Sequence, residues 1–213
     1  MLLGDLPPGE KWRHFELKAL GLRDFARVRG DQPLNPFDLA RFANLIVVRF
    51  EQIEGLSEAA REHLLGSASE AWSGGACTLP NGMKVVILNP THGRSRTNAT
   101  LMEEICHVFL GHQPNRLSIV TKDERGKVMN RDYRKADEEE AYAVGAAALV
   151  PYAALKKLLL QGRTSQQIAS HFRVSSELVE YRMKVTRLWQ EFKTLSRKAR
   201  ERTNHKDTKS QSS

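Results

Sequence analysis

The run Leu101–Leu110 constrains this chain most, because it is an apolar helix-forming stretch that carries two glutamates and a histidine. Leu101, Met102, Ile105, Val108, Phe109 and Leu110 cover most of the helix surface, so the helix must pack against other elements. Glu103, Glu104 and His107 are embedded in that surface, where polar groups are costly unless they find partners. At about 3.6 residues per turn, positions 103 and 107 lie about 40° apart around the axis. Both side chains therefore point into one cleft, with Glu104 beside them.

The string Glu103-Glu104-Ile105-Cys106-His107 reads as H-E-x-x-H with its first histidine replaced by glutamate. In that motif two residues four apart share a helix face and hold a metal, while the intervening glutamate acts as general base toward the attacking water. Glu103 and His107 take the ligand places here and Glu104 the base. A third ligand must come from elsewhere, and the acidic run Asp137–Glu140 at the head of a second helix is the best supplier. Glu138 lines up with Ala141, Gly145 and Ala148 in a stripe of small residues that lets two helices approach closely, which favours it. Acids at a helix start also suit the helix dipole without any metal. His112 follows the stop residue Gly111 and reads as a helix-terminal residue rather than a ligand.

A chain of 213 residues with 40% hydrophobic and 27% charged content can build one sizeable core and a small appendage. No apolar run approaches the roughly 20 residues of a membrane span. The first residues lack a basic start and apolar stretch, so a cytoplasmic protein with no membrane partner is expected. Cys77 and Cys106 make no metal-type pair and read as small buried residues. Five of the eight net positive charges fall between Lys193 and Ser213. With no aromatic residue after Phe192 to stack on a base, this tail reads as solvated and disordered rather than as a nucleic-acid arm.

The spacing predicts an N-terminal helical arm and linker over 1–35, a main domain over 36–155, a helical subdomain over 156–195 and the basic tail 196–213. Within the main domain, a helix over 36–43 precedes a β-rich stretch over 45–50, and 56–65 has helical composition. Asn81-Gly82 separates strands over 72–78 and 84–89 as a tight hairpin turn. A helix over 97–110, capped by Thr97 or Asn98, is followed by a polar irregular segment over 115–134. The run Ala141–Val150 is apolar on every side and predicts a buried helix ended by Pro151. Residues 165–186 have a helix-turn-helix-like pattern, and an amphipathic extension continues through Leu188, Trp189, Phe192 and Leu195.

With these residues in place, residues 36–188 resemble the ImmA/IrrE family of zinc metallopeptidases, bacterial intracellular proteins that cleave transcriptional repressors in mobile-element and stress responses. The family pattern runs from a strand ending in Asn through Arg and Thr into T-x-x-H-E-x-x-H-x-x-x-G-H. Val85–Asn89, Arg96, Thr100–His107 and Gly111-His112 hold those places. The downstream E-x-E-A-N-x-F-A-x-x-L-L-M-P pattern resembles Glu138–Pro151 without a gap. The resemblance implies an α+β zincin-like domain, a small antiparallel sheet packed on an active-site helix, followed by the all-α helix-turn-helix-like part. It also implies that Glu138 is the third zinc ligand.

The departure at Glu103 bears on activity. With two carboxylates and one imidazole, the charge of a Zn²⁺ ion is largely cancelled and it polarises water less. The oxygen-rich set also discriminates less against Mn²⁺ or Fe²⁺. Two functions follow. One is a metal-dependent endopeptidase acting on a protein such as a transcriptional repressor, with the 84–89 strand pairing to the substrate backbone. The other is an impaired family member acting as a regulator that binds protein or DNA, using 165–172 and 175–183 as a two-helix reader. The second of those helices offers Ser176, Glu177, Glu180 and Tyr181 beside Arg182 and Lys184, a mixed face that favours the first reading.

Overall fold

Strands β1 (Leu45–Val48), β2 (Gly74–Thr78) and β3 (Lys84–Leu88) form a sheet in the order β1-β3-β2. This is a computed structural model that describes residues 5–112 and 135–194. The side chains of Cys77 and Thr78, the polar segment over 115–134, Leu195 and the tail 196–213 lie outside the described residues.

The expected hairpin joins β2 and β3, which pair antiparallel from Gly74 opposite Leu88 to Thr78 opposite Lys84. Its turn is not a two-residue turn with positive φ at both centres. Gly82 N–H donates to Leu79 O at 2.9 Å across Pro80 and Asn81, and only Gly82 has a positive φ, +82°. Proline fixes its own φ negative, so Pro80 selects a turn followed by a bulged glycine.

β1 adds to the other side of β3 in parallel, Leu45 opposite Lys84 through Val48 opposite Ile87, so the sheet is mixed rather than purely antiparallel. A parallel partner needs a crossover, and residues 49–83 supply it through a 3-10 turn at Phe50–Gln52, helix α3 (Glu58–Leu65) and β2 itself. β3 is thereby the central strand, with both backbone edges bonded. The expectation that the 84–89 strand pairs with a substrate is corrected: among the described residues, β1 and β2 are the edge strands of this sheet.

Residues 35–145 form one compact unit. Helix α2 (Pro36–Phe42) starts at Asn35, whose side chain accepts from Phe37 N–H, with Pro36 at the first helical position where its missing N–H costs nothing. Helix α4 (Arg94–Phe109) packs on β3, β2 and α2. It starts three residues before Thr97, because Thr97 Oγ1 donates back to Gly93 O at 3.2 Å inside the first turn instead of capping it. At Gly74 the sheet comes so close to α4 that an added Cβ would lie 2.8 Å from Thr100 Cγ2. Leu101, Met102, Ile105 and Cys106 are buried and face this core with Val86, Leu88 and Leu39. Helix α5 (Lys135–Leu149) enters the unit through Ala141 and Val144.

The other unit comprises residues 1–34 and 146–213, so the expected N-terminal arm groups with the C-terminal helices, and the division falls inside α5. It holds α1 (Glu10–Phe25), the end of α5, α6 (Tyr152–Leu160), α7 (Ser165–Phe172) and α8 (Ser176–Val185). The helix-turn-helix-like pair is legible in its caps: Thr164 and Gln167 form a reciprocal capping box, and Ser175 Oγ accepts from Leu178 N–H. Pro151 breaks α5 from α6 and leaves helix-end polar groups inside the core. Arg23 donates to Ala148 O at 2.8 Å and Arg182 Nε to Val150 O at 3.0 Å, while Glu16 accepts from Tyr152 N–H at 2.6 Å and pairs with Arg182. Among the described residues no single helix is long and apolar enough to cross a membrane.

Candidate metal centre

Glu103 and His107 project from one face of α4, and Glu138 from the first turn of α5. One ligand atom from each of the three lies within 4.8 Å of the other two. The small-residue stripe of α5 explains the approach. A Cβ added to Gly145 would stand 3.4 Å from Met102 Cγ, 3.5 Å from Cys106 Sγ and 3.6 Å from the Glu103 backbone nitrogen. Alanine would fit there in ordinary contact, but a side chain extending beyond Cβ would have to push α5, and Glu138 with it, away from α4. The buried helix itself is as expected from Ala143 to Val150, but Tyr142, one turn beyond Glu138, is 38% exposed.

The loop that leads into α4 is stapled by the two residues preceding the motif. Asn89 is buried; it donates to Ser69 O at 2.7 Å and Trp72 O at 3.0 Å, and accepts from Thr91 N–H at 2.9 Å. Arg96 pairs with Glu70 at 2.6 Å and donates to Ser73 Oγ. Both tie residues 69–73 to the start of the site helix.

The electrostatics are those of a carboxylate cluster short of positive charge. Burial, then the charges of Glu138 and Glu104, push Glu103 up to about 7. Glu104 is likewise pushed up to about 7, by burial and then by Glu138. Burial lowers His107, an effect only partly offset by Glu138, which favours the neutral imidazole a metal requires. The Cys106 thiol is buried and pushed up, as expected of an inert core cysteine.

These shifts predict how the metal-free protein responds to pH. Both carboxyls hold protons more tightly when folded than at their ordinary 4.5, so their contribution is complete below about 4.5 and lost as pH rises through about 7. The thermal midpoint of metal-free protein is expected to fall across that window. Added Zn²⁺ should reverse the slope, because it stabilises the ionised forms. A midpoint that rises steadily from acid to neutral pH without metal would contradict this electrostatic description.

His112 and Glu140 join the site: the sequence placed His112 at the helix end rather than among the ligands and Glu140 within the acidic run, but did not bring the two together. His107 Nε2 lies 3.5 Å from Glu138 Oε1, while His107 Nδ1 lies 3.1 Å from His112 Nδ1. His112 Nε2 in turn lies 3.4 Å from Glu140 Oε2. The signal available was the Gly111-His112 pair, which marks a helix-terminal motif with a defined geometry.

A match to the sequence model of the Peptidase M78 family, described as the IrrE N-terminal-like domain, spans residues 58–184, more than half of the chain. The chain belongs to the IrrE N-terminal-like family. The matched span contains α4, the acidic head of α5 and the helix-turn-helix-like pair, so this IrrE-like chain holds its candidate site inside the family domain. No curated protein matches it. Among solved structures, a Mycobacterium tuberculosis transcriptional regulator is similar with a TM-score of 0.50 and 15% identity, covering 80% of this chain and 46% of that chain. At that identity the likeness shows the fold alone, and this chain spans less than half the length of that protein.

The donor set of one imidazole nitrogen and two carboxylate oxygens, gathered within 4.8 Å on two helices, fits a divalent metal of the kind the family implies.

Proposed function

We propose that this chain is a metal-dependent endopeptidase that hydrolyses a peptide bond in a transcriptional repressor or a similar protein of the cytoplasm. The convergence of Glu103, His107 and Glu138 carries the reading. These three would hold the metal, Zn²⁺ first, with Mn²⁺ or Fe²⁺ accepted by the oxygen-rich set. When bound, such an ion supplies Lewis acidity toward a carbonyl and lowers the pKa of water. Glu104, next to Glu103 on α4, takes the proton of the attacking water as general base and delivers it to the leaving amine. Its upward shift supports that role, since a base works best with a pKa near the operating pH. The substrate backbone would add to edge strand β2, which passes the α4 residue Thr100 one turn before Glu104.

A DNA-reading role draws less support. Arg182, one of the two basic residues on the mixed face of α8, is 1% exposed and paired with Glu16. The exposed start of α8 presents Glu177. A second reading, a relative that binds its target without cutting it, is favoured by one observation: a third carboxylate, Glu103, stands where the motif has a neutral imidazole.

Elemental analysis of untagged protein, wild type beside Glu103→Ala, His107→Ala and Glu138→Ala, separates the two. Near-stoichiometric metal that is lost in all three variants is the expected result. Failure of the wild type to hold or take up Zn²⁺, Mn²⁺ or Fe²⁺ would end the peptidase reading and leave the binding one.

A further inference from the structure

We propose that His112 and Glu140 form a positioning relay that holds His107 in the tautomer and orientation a metal needs; the inference rests on the peptidase reading of the same site. The backbone builds the relay first. Gly111 N–H donates to Val108 O at 3.2 Å and His112 N–H to His107 O at 3.0 Å, with Gly111 at φ +71°. This is the Schellman arrangement, in which the second residue past the helix end is laid over the residue three from its end. That contact is usually apolar. Here the two residues are His112 and His107, and their rings meet edge to face with centroids 5.1 Å apart.

The ring contact leaves room for one hydrogen between two Nδ1 atoms 3.1 Å apart. Two arrangements satisfy it. In one, His107 Nδ1–H donates to His112 Nδ1, and His112 Nε2–H donates to Glu140. In the other, His112 Nδ1–H donates to His107, His107 Nε2–H donates to Glu138, and the bare Nε2 of His112 faces the Glu140 carboxylate. Burial separates them. The side chains of His112 and Glu140 are 9% and 23% exposed, against 36% for Glu138, so water relieves an unmatched pair at the Glu138 end but not at the Glu140 end. That difference in burial selects the first arrangement, which leaves His107 Nε2 with its lone pair toward Glu138 at 3.5 Å. Metal-bound histidines elsewhere are held in this way, with the second nitrogen donating to an acceptor. An imidazole with a carboxylate behind it takes the acceptor role here.

The test uses the full chain in two states. In metal-free protein at mildly alkaline pH, ¹⁵N imidazole spectra are expected to show His107 protonated on Nδ1 and His112 on Nε2. A His107 protonated on Nε2 would overturn the proposal. Zn²⁺ affinity, measured by competition with a chromophoric chelator, is expected to fall about 10–100-fold in His112→Ala. In Glu140→Gln, which keeps an acceptor oxygen, it should stay close to wild type. Gly111→Ala leaves both rings in the sequence but strains the left-handed cap, and should lower affinity in the same direction. Unchanged affinity in both His112→Ala and Gly111→Ala would overturn the relay. If the wild type takes up no Zn²⁺, the peptidase reading falls, and the metal-free tautomer alone decides this inference.

Discussion

Glu104→Gln is expected to lower peptide hydrolysis by about 10²–10⁴-fold, the usual contribution of a general base, while metal content stays at the wild-type level. The amide has the shape of the carboxyl and can still hydrogen-bond, but it cannot take up a proton at neutral pH. Glu104 sits one residue from the proposed ligand Glu103 on α4, where burial and then Glu138 push its carboxyl up to about 7. That places its proton affinity where a base must both accept and release a proton. The initial rate on a fluorescence-quenched peptide library, with Zn²⁺ supplied to both proteins, is the measurement. An undiminished rate would remove Glu104 from the chemistry. A loss of rate accompanied by loss of metal would instead make Glu104 a ligand.

Arg182→Ala is expected to cost about 3–5 kcal/mol of stability, the range for removing one partner of a buried ion pair. Arg182 and Glu16 are each 1% exposed. Truncating Arg182 strands the Glu16 carboxylate in the core and leaves Val150 O, at the α5–α6 break, without its donor at 3.0 Å. The double variant Glu16→Gln/Arg182→Met should recover part of the loss. It removes both charges while the glutamine oxygen can still accept from Tyr152 N–H. Urea unfolding followed by far-UV circular dichroism measures all three proteins. A cost below about 1 kcal/mol for Arg182→Ala would be that of a solvated surface pair, and would contradict its place in the core.

Legibility differed by element. The α4 helix was readable because its apolar residues recur at helical spacing, yet its start was misplaced by three residues, since a threonine inside a first turn and one at an N-cap look alike in sequence. The hairpin was readable from Asn81-Gly82. Its turn type was not, although Pro80, which cannot adopt a positive φ, was already visible. The parallel strand β1 was legible as an apolar β-rich run, but its partner was not, because pairing across residues 49–83 is a non-local choice. Glu138 was reached from the spacing of Ala141, Gly145 and Ala148, and the structure places it beside Glu103 and His107. Glu140 was named within the acidic run, and its partner His112 lies 28 residues away along the chain.

Local rules acting over a few residues were enough to establish the helix faces, the hairpin at Asn81-Gly82, the glutamates and histidine on α4, and the family resemblance. Each depends on periodicity or on residue types written in neighbouring positions. The mixed sheet that occupies both edges of β3, the burial of Arg182 against Glu16, and the His107–His112–Glu140 chain required the folded molecule. In each of these, an atom's role depends on which distant group shares its low-dielectric surroundings, and burial by the whole fold decides that.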